Sequence, residues 1–72
     1  MRLLEKWNTL TARVVAFYQQ GWYGIAGKLA EEALEFAEKA FGPDHANVAE
    51  SLNNLALISY SQAKEAEAAT LA

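Results

Sequence analysis

Two glycine breaks divide this chain of 72 residues into three runs, and in each run apolar residues recur every three or four positions. Apolar residues at that spacing form one stripe along a helix. Gly21 follows the first run and Gly42-Pro43 follows the second; a glycine just past the last periodic residue commonly ends a helix, and proline cannot continue one. The pattern predicts an all-α chain. Its three helices are expected at about residues 2–20, 22–41 and 45–70.

The third run is expected to form one uninterrupted helix. Asp44 precedes it, and an aspartate at the N-cap accepts a hydrogen bond from an amide of the first turn. The last twelve residues, SQAKEAEAATLA, favour helix throughout, so the helix should continue to about Thr70. Its apolar stripe is predicted to consist of Val48, Leu52, Leu55 and Ser59.

The length limits what three helices can build. A chain of 72 residues forms one domain at most, and a core of that size is marginal without a disulfide, a metal or a partner subunit. Cysteine is absent, which excludes disulfides and thiolate metal sites. We therefore expect a single helical domain over residues 1–72, either complete or as a fragment of a longer array.

The charge and hydropathy of the chain exclude two classes of partner. Nine acidic and six basic side chains give a formal net charge of -3, and no lysine and arginine cluster is present to neutralise phosphates, so nucleic acid is not an expected partner. No stretch approaches the ~20 apolar residues of a membrane span. The N-terminal run MRLLEKWNTLTARVV lacks the apolar core of a signal peptide, which favours a cytoplasmic location.

The sequence offers no arrangement typical of an enzyme. The second run carries four glutamates, which we interpret as a solvent-exposed face of the helix. Asp44 and His45 are adjacent in the segment that follows Gly42-Pro43. A histidine beside an aspartate can act as a general base, but neither a cysteine nor a glycine-framed serine nucleophile accompanies it, and no second histidine completes a metal site. We interpret the pair as a structural loop and expect no catalysis, cofactor or metal. The glutamates are Glu31, Glu32, Glu35 and Glu38.

An internal repeat points to a family. At an offset of 42 residues, six of 21 compared pairs are identical, among them Leu10/Leu52 and Tyr18/Tyr60. The stretch from FYQQGWYGIAGKLAEEALEF to the GPDH linker and SLNNLALI resembles tetratricopeptide repeats of the long, kinesin-light-chain-like type. The resemblance covers most of the chain and implies about one and a half repeats, each an antiparallel helix pair. It also implies binding, because the first helices of successive pairs line a concave groove for a peptide or a partner helix.

The resemblance assigns residues to this groove. Asn54 is the strongest candidate, because its amide offers both a donor and an acceptor to a peptide backbone; the alternative is that Asn53 and Asn54 only bond within their helix or meet solvent. The basic residues with which some family members hold a C-terminal carboxylate are missing, since Thr11 and Val15 stand at those positions. The predicted groove residues are Thr11, Val15, Tyr18, Asn53, Asn54, Leu57 and Tyr60.

The chain also departs from the family pattern in a way that suggests a second function. The turn expected in the second repeat is absent, because Ala63 and Glu65 replace the residues that correspond to Gly21 and Tyr23. Without this turn, no following helix folds back to cover the third helix, and a second copy of the chain could cover it instead. Self-association as a homo-oligomer, with a dimer as the expected form, is therefore the alternative to peptide binding. The residues predicted to meet a second copy are Leu55, Ile58 and Leu71.

Overall fold

The computed structural model describes residues 2–71, without the side chain of Leu71, and these residues form three helices. The helix α1 spans Leu3–Gln19, α2 spans Tyr23–Phe41, and α3 spans Ala46–Leu71. No strand occurs among the described residues. The predicted all-α, three-helix array is confirmed, and α3 runs for 26 residues without the turn that a second complete repeat would need.

The turn after α1 reverses the chain through a Schellman motif. Gly21 has a φ of 82°, and its amide donates to the carbonyl of Tyr18 at 3.0 Å, while the amide of Trp22 donates to the carbonyl of Phe17 at 2.9 Å. This pair of hydrogen bonds satisfies carbonyls that the end of a helix otherwise leaves free. The rings of Phe17 and Trp22 lie 6.0 Å apart and add the apolar contact that accompanies such a motif.

The break between α2 and α3 combines a glycine stop with a histidine cap. Gly42 has φ 93° and ψ 153°, a backbone conformation essentially confined to glycine. The Nδ1 atom of His45 accepts a hydrogen bond from the amide of Asn47 at 3.0 Å. The backbone carbonyl of His45 accepts a second hydrogen bond, from the amide of Val48 at 3.0 Å. The cap predicted at Asp44 is therefore wrong by one residue, because α3 begins at Ala46 and the residue just before it is placed to cap it.

Helix α2 lies between the other two helices and supplies a face of small side chains. Ala26 and Ala30 are buried with Val14 of α1 and Ile58 of α3 in one cluster. Toward the other end of α2, an alanine is buried with one residue from each outer helix in a second cluster. Residues near the start of α1 and near the start of α3 both contact residues near the end of α2. Both outer helices therefore run antiparallel to α2. They are consequently parallel to each other. The second cluster consists of Trp7, Ala37 and Val48.

Ile58, one of the residues predicted to meet a second copy, is buried within the single chain. Ile58 is only 2% exposed, because it packs within the chain against Val14 and the alanines of α2. Leu55 is partly buried against the same cluster. The side chain of Leu71, the third residue predicted for self-association, lies outside what the structure describes. A surface for a second copy would therefore have to use other residues of α3.

Candidate partner-binding groove

The parallel helices α1 and α3 form the two walls of a groove, and two side-chain hydrogen bonds join them. The indole nitrogen of Trp7 donates to the hydroxyl of Ser51 at 3.1 Å, and both side chains are buried. Near the other end of α1, the hydroxyls of Tyr18 and Ser61 lie 3.2 Å apart and share a hydrogen bond. The two bonds join positions that are 44 and 43 residues apart in the chain, so both tie the first helix directly to the third.

A cavity of about 230 Å³ opens between these walls. Its lining comes from four residues of α1 and three of α3, and it combines aliphatic side chains with a phenol and two amides. None of the lining side chains carries a charge. The lining residues are Val14, Val15, Tyr18, Gln19, Asn54, Leu57 and Ile58.

The structure brings four of the seven predicted groove residues together around this cavity. They are Val15 and Tyr18 from α1 and Asn54 and Leu57 from α3. Tyr60 is exposed and lies instead beside Tyr23, in a shallower depression. The other two predicted residues do not line the cavity: Thr11 is half-buried and Asn53 is exposed.

Sequence reasoning missed three residues of the cavity, for two different reasons. Val14 and Ile58 belong to the buried core, so their apolar character indicates packing and gives no separate signal of a site. Gln19 lies four positions after Val15, the spacing that places two residues on the same face of a helix. That spacing could have identified Gln19 from the sequence.

Asn54 is half-buried at the cavity wall. Among the side-chain hydrogen bonds formed within the described residues, none involves its amide. A half-buried amide of this kind keeps its donors and its acceptor available for a ligand. The position therefore combines access to the cavity with hydrogen-bonding capacity that the fold itself does not use.

The charged side chains lie apart from the cavity. The four glutamates of α2 are exposed, as predicted, and three of them line a shallow depression with Lys28 on that helix. Lys28 and Glu32, like Glu35 and Lys39, are four residues apart, a spacing at which ion pairs can form on a helix, but neither pair is among those of the described residues. The pairs present in the described chain are Arg2–Glu5 and Lys64–Glu67, both at 3.6 Å and exposed. Exposed pairs of this kind contribute little to stability.

The side chains that could ligate a metal are dispersed in the part of the chain that the structure describes. Over residues 2–71, no three histidine, cysteine, aspartate or glutamate side chains converge on a point where a metal ion could bind. His45 is engaged as a helix cap and stacks on Phe41, with ring centroids 4.8 Å apart.

The fold and the groove together define a helical-repeat protein, in which antiparallel helix pairs stack and their first helices line one surface. Residues 8–72 match the tetratricopeptide repeat family, and the chain belongs to that family. Repeats of this family are non-catalytic modules that generally mediate interactions between proteins. Comparison with curated proteins and with solved structures finds no match. Among residues 2–71, no helix combines the length and the apolar character needed to cross a membrane.

Proposed function

We propose that this chain is a protein-interaction module that binds a peptide or a partner helix in the groove between α1 and α3. The observation that carries the proposal is the uncharged cavity in which Val15 and Tyr18 of the first helix meet Asn54 and Leu57 of the third. The family resemblance predicts all four of these residues for the groove from the sequence alone. Their convergence on one cavity supports a shared role.

The groove offers the two kinds of contact that a bound segment needs. Val15 and Leu57 are 40% and 49% exposed, so their apolar surface is available to a partner. Burial of such surface supplies most of the free energy of association, at about 25 cal/mol per Å² before the costs of binding. The amide of Asn54 supplies a donor and an acceptor that fix the orientation of the bound backbone.

Features of the sequence support a subtype of repeat and a class of partner. The GPDH linker followed by Asn53 and Asn54 supports the long, kinesin-light-chain-like type of repeat. The net charge of -3 supports a protein or peptide partner over nucleic acid. The cytoplasmic location stays a prediction from the sequence.

Self-association is the second candidate function, and the exposure of α3 favours it. Residues 62–70 are all exposed. Leu52 is also 50% exposed, although it lies in the stretch of α3 that packs on α2. The accessible surface of the chain is 4921 Å², against roughly 4,400 Å² for a compact monomer of its mass. A homodimer in which α3 of each chain covers the other would bury part of this excess. Leu52 then takes the role that was predicted for Ile58.

A peptide library distinguishes the two candidates. The chain is used to select binders from a random 12-residue displayed library, and the selected peptides are measured against Leu57→Arg and against Ile25→Arg. Ile25 is a matched control because it is 43% exposed and lies on α2, away from the groove. We expect Leu57→Arg to abolish binding and Ile25→Arg to preserve it. Peptides that bind both variants equally would contradict the groove, and a mass of twice 7.9 kDa by light scattering would support the dimer.

A further inference from the structure

The floor of the groove cavity is also part of the hydrophobic core. Val14 and Ile58 are both 2% exposed, and they pack with Ala26 and Ala30 in the larger buried cluster of the chain. The same two side chains line the cavity. An apolar group placed in the cavity would therefore contact the core directly and extend its packing.

The size of the cavity fits one large side chain. Its volume of about 230 Å³ lies below the ~300 to 1,000 Å³ typical of pockets for small-molecule ligands. It is nevertheless far larger than the space that one water molecule requires. Of its polar lining groups, the hydroxyl of Tyr18 already bonds to Ser61, whereas the amides of Gln19 and Asn54 form no side-chain hydrogen bond within the described residues. Two free amides beside an apolar floor match a side chain together with its flanking peptide backbone.

The charges of the chain limit the partner further. No lining side chain could pair with a charged anchor, and a charge placed against Val14 and Ile58 would lose its hydration without compensation. Outside the cavity, nine acidic side chains against six basic ones give the chain a net charge of -3. That excess lies on α2 and the following linker, whereas residues 2–19 and 46–70, which include both walls of the groove, carry four acidic and four basic side chains. The walls therefore favour a segment without a large net charge of either sign.

We propose that the cavity is an anchor site for a single leucine-sized or aromatic side chain, carried on a partner segment without a large net charge. The inference rests on the proposed function of the groove and specifies its ligand. The bound side chain completes the core between α1 and α3, so the partner stabilises the fold as it binds. Ligand binding to the folded state alone raises the free energy of unfolding in proportion to the logarithm of the ligand concentration above Kd.

A cavity-filling substitution tests this proposal, because it should raise stability and lower affinity together. In Val15→Phe the new ring occupies the space that the partner's anchor requires, and the variant should melt at or above the temperature of the unmodified chain. Ile25→Phe is the matched control, since Ile25 is 43% exposed on α2, Val15 is 40% exposed, and only Val15 lines the cavity. Leu57→Phe fills the same cavity from α3 and replaces the first variant should Val15→Phe fail to fold.

The probes are the peptides selected from the random 12-residue library. Each is resynthesised, scanned with alanine and titrated against the three phenylalanine variants. We expect one large apolar residue in each peptide to weaken binding about tenfold or more when changed to alanine. We also expect Val15→Phe to weaken binding by a similar factor, Ile25→Phe to leave it unchanged, and each peptide to raise the Tm of the unmodified chain.

The outcomes separate the anchor from the groove. Peptides that lose binding to Leu57→Arg but bind Val15→Phe at full strength would overturn the anchor and leave the groove intact. Groove binders that depend on acidic residues or on a free C-terminal carboxylate would also overturn the anchor alone. A library that yields no peptide sensitive to Leu57→Arg would overturn the proposed function and the anchor together.

Discussion

Trp7 of α1 donates its indole hydrogen to the hydroxyl of Ser51 of α3 across a buried contact of 3.1 Å. Ser51 is 2% exposed, and it is the one polar side chain buried among the described residues. The bond joins the two helices that form the walls of the groove, in the N-terminal part of each helix. It also explains why a serine occupies a core position, since the indole of a buried tryptophan needs an acceptor.

Removal of this acceptor should destabilise the chain. In Ser51→Ala the indole hydrogen is left buried and unpaired, which costs about 1 to 3 kcal/mol of the free energy of unfolding. Ser59→Ala is the control, because Ser59 is exposed on the same helix and should change stability by less than about 0.5 kcal/mol. Chemical denaturation followed by circular dichroism measures both. Equal stability of the two variants would mean that the contact contributes nothing.

The same substitution at two glycines should act in opposite directions. Gly42 has a φ of 93° and a ψ of 153°, so Gly42→Ala forces a side chain into a conformation that costs roughly 1 to 3 kcal/mol. Gly24 lies within α2, and an added methyl group there meets no atom within 4 Å. Gly24→Ala should therefore stabilise the helix by about 0.5 to 1 kcal/mol. Gly42→Val should lower the Tm at least as far as Gly42→Ala, and an unchanged Tm in both would disprove the helix stop.

The N-cap of α3 can be identified by comparing neighbouring residues. His45→Ala removes both the acceptor for the amide of Asn47 and the ring stacked on Phe41, and should cost about 1 kcal/mol. Asp44 is exposed and should tolerate alanine within about 0.5 kcal/mol. His45→Asn restores a capping oxygen and should recover much of the loss. A larger loss in Asp44→Ala than in His45→Ala would restore the cap that the sequence suggested.

The elements that the sequence predicts well are those that depend on local chemistry. Gly21 and Gly42 end helices because positive φ is a property of the single residue, which needs no knowledge of the rest of the fold. Four of the five alanines of α2, Ala26, Ala30, Ala33 and Ala37, are buried, because that helix has a neighbour on two sides and only small residues allow both to approach. The glycine stops therefore required no information on how the three helices are arranged, whereas the burial of the alanines depends on that arrangement.

The sequence alone could not show which face of α3 packs against the core. The spacing of three and four residues fits both the predicted stripe and a second stripe that shares two of its four residues, and the structure uses the second. Leu52 is exposed and Ser51 is buried, because the indole of Trp7 requires the hydroxyl and α2 contacts the side of α3 that carries it. The choice is therefore made by tertiary contacts. The predicted stripe was Val48, Leu52, Leu55 and Ser59, and the observed one is Val48, Ser51, Leu55 and Ile58.

The candidate site also has a part that the sequence predicts and a part that depends on tertiary contacts. The family resemblance placed residues of both helices on one surface, and Val15, Tyr18, Asn54 and Leu57 do share a cavity. It could not show that the cavity extends down to Val14 and Ile58, because core residues give the same apolar signal whether or not a cavity lies above them. Their part in the site depends on the separation of α1 and α3, which only the structure provides.

Asn54 should contribute to binding more than to stability. Asparagine has a lower helix propensity than alanine, and the Asn54 amide forms no hydrogen bond within the described residues, so Asn54→Ala should melt at the same or a slightly higher temperature. The same variant should bind a library-selected peptide more weakly by about 1 to 3 kcal/mol, because a backbone group of the peptide loses its partner. Asn53→Ala is the control, since Asn53 is exposed and does not line the cavity. A loss of stability without a loss of affinity would assign Asn54 to the fold.

Glutamate substitutions at two positions of α3 should separate folding from self-association. Ile58 is buried against Val14 and the alanines of α2, so Ile58→Glu places an unpaired carboxylate in the core of a small domain. A buried unpaired charge costs several kcal/mol, a large part of the roughly 5 to 15 kcal/mol that holds a domain together, and the variant should lose its cooperative thermal transition. Leu52 is 50% exposed, so Leu52→Glu should keep the fold.

Light scattering on the Leu52→Glu variant then tests the dimer directly. A dimer built on the exposed face of α3 would fall from twice 7.9 kDa to the mass of one chain, because the introduced carboxylate faces its own copy across a two-fold axis. The circular dichroism spectrum should stay helical, which separates dissociation from unfolding. An unmodified chain that elutes as a folded 7.9 kDa monomer at high concentration would end the case for self-association. The peptide-binding groove would then stand as the function that accounts for the exposed Val15 and Leu57.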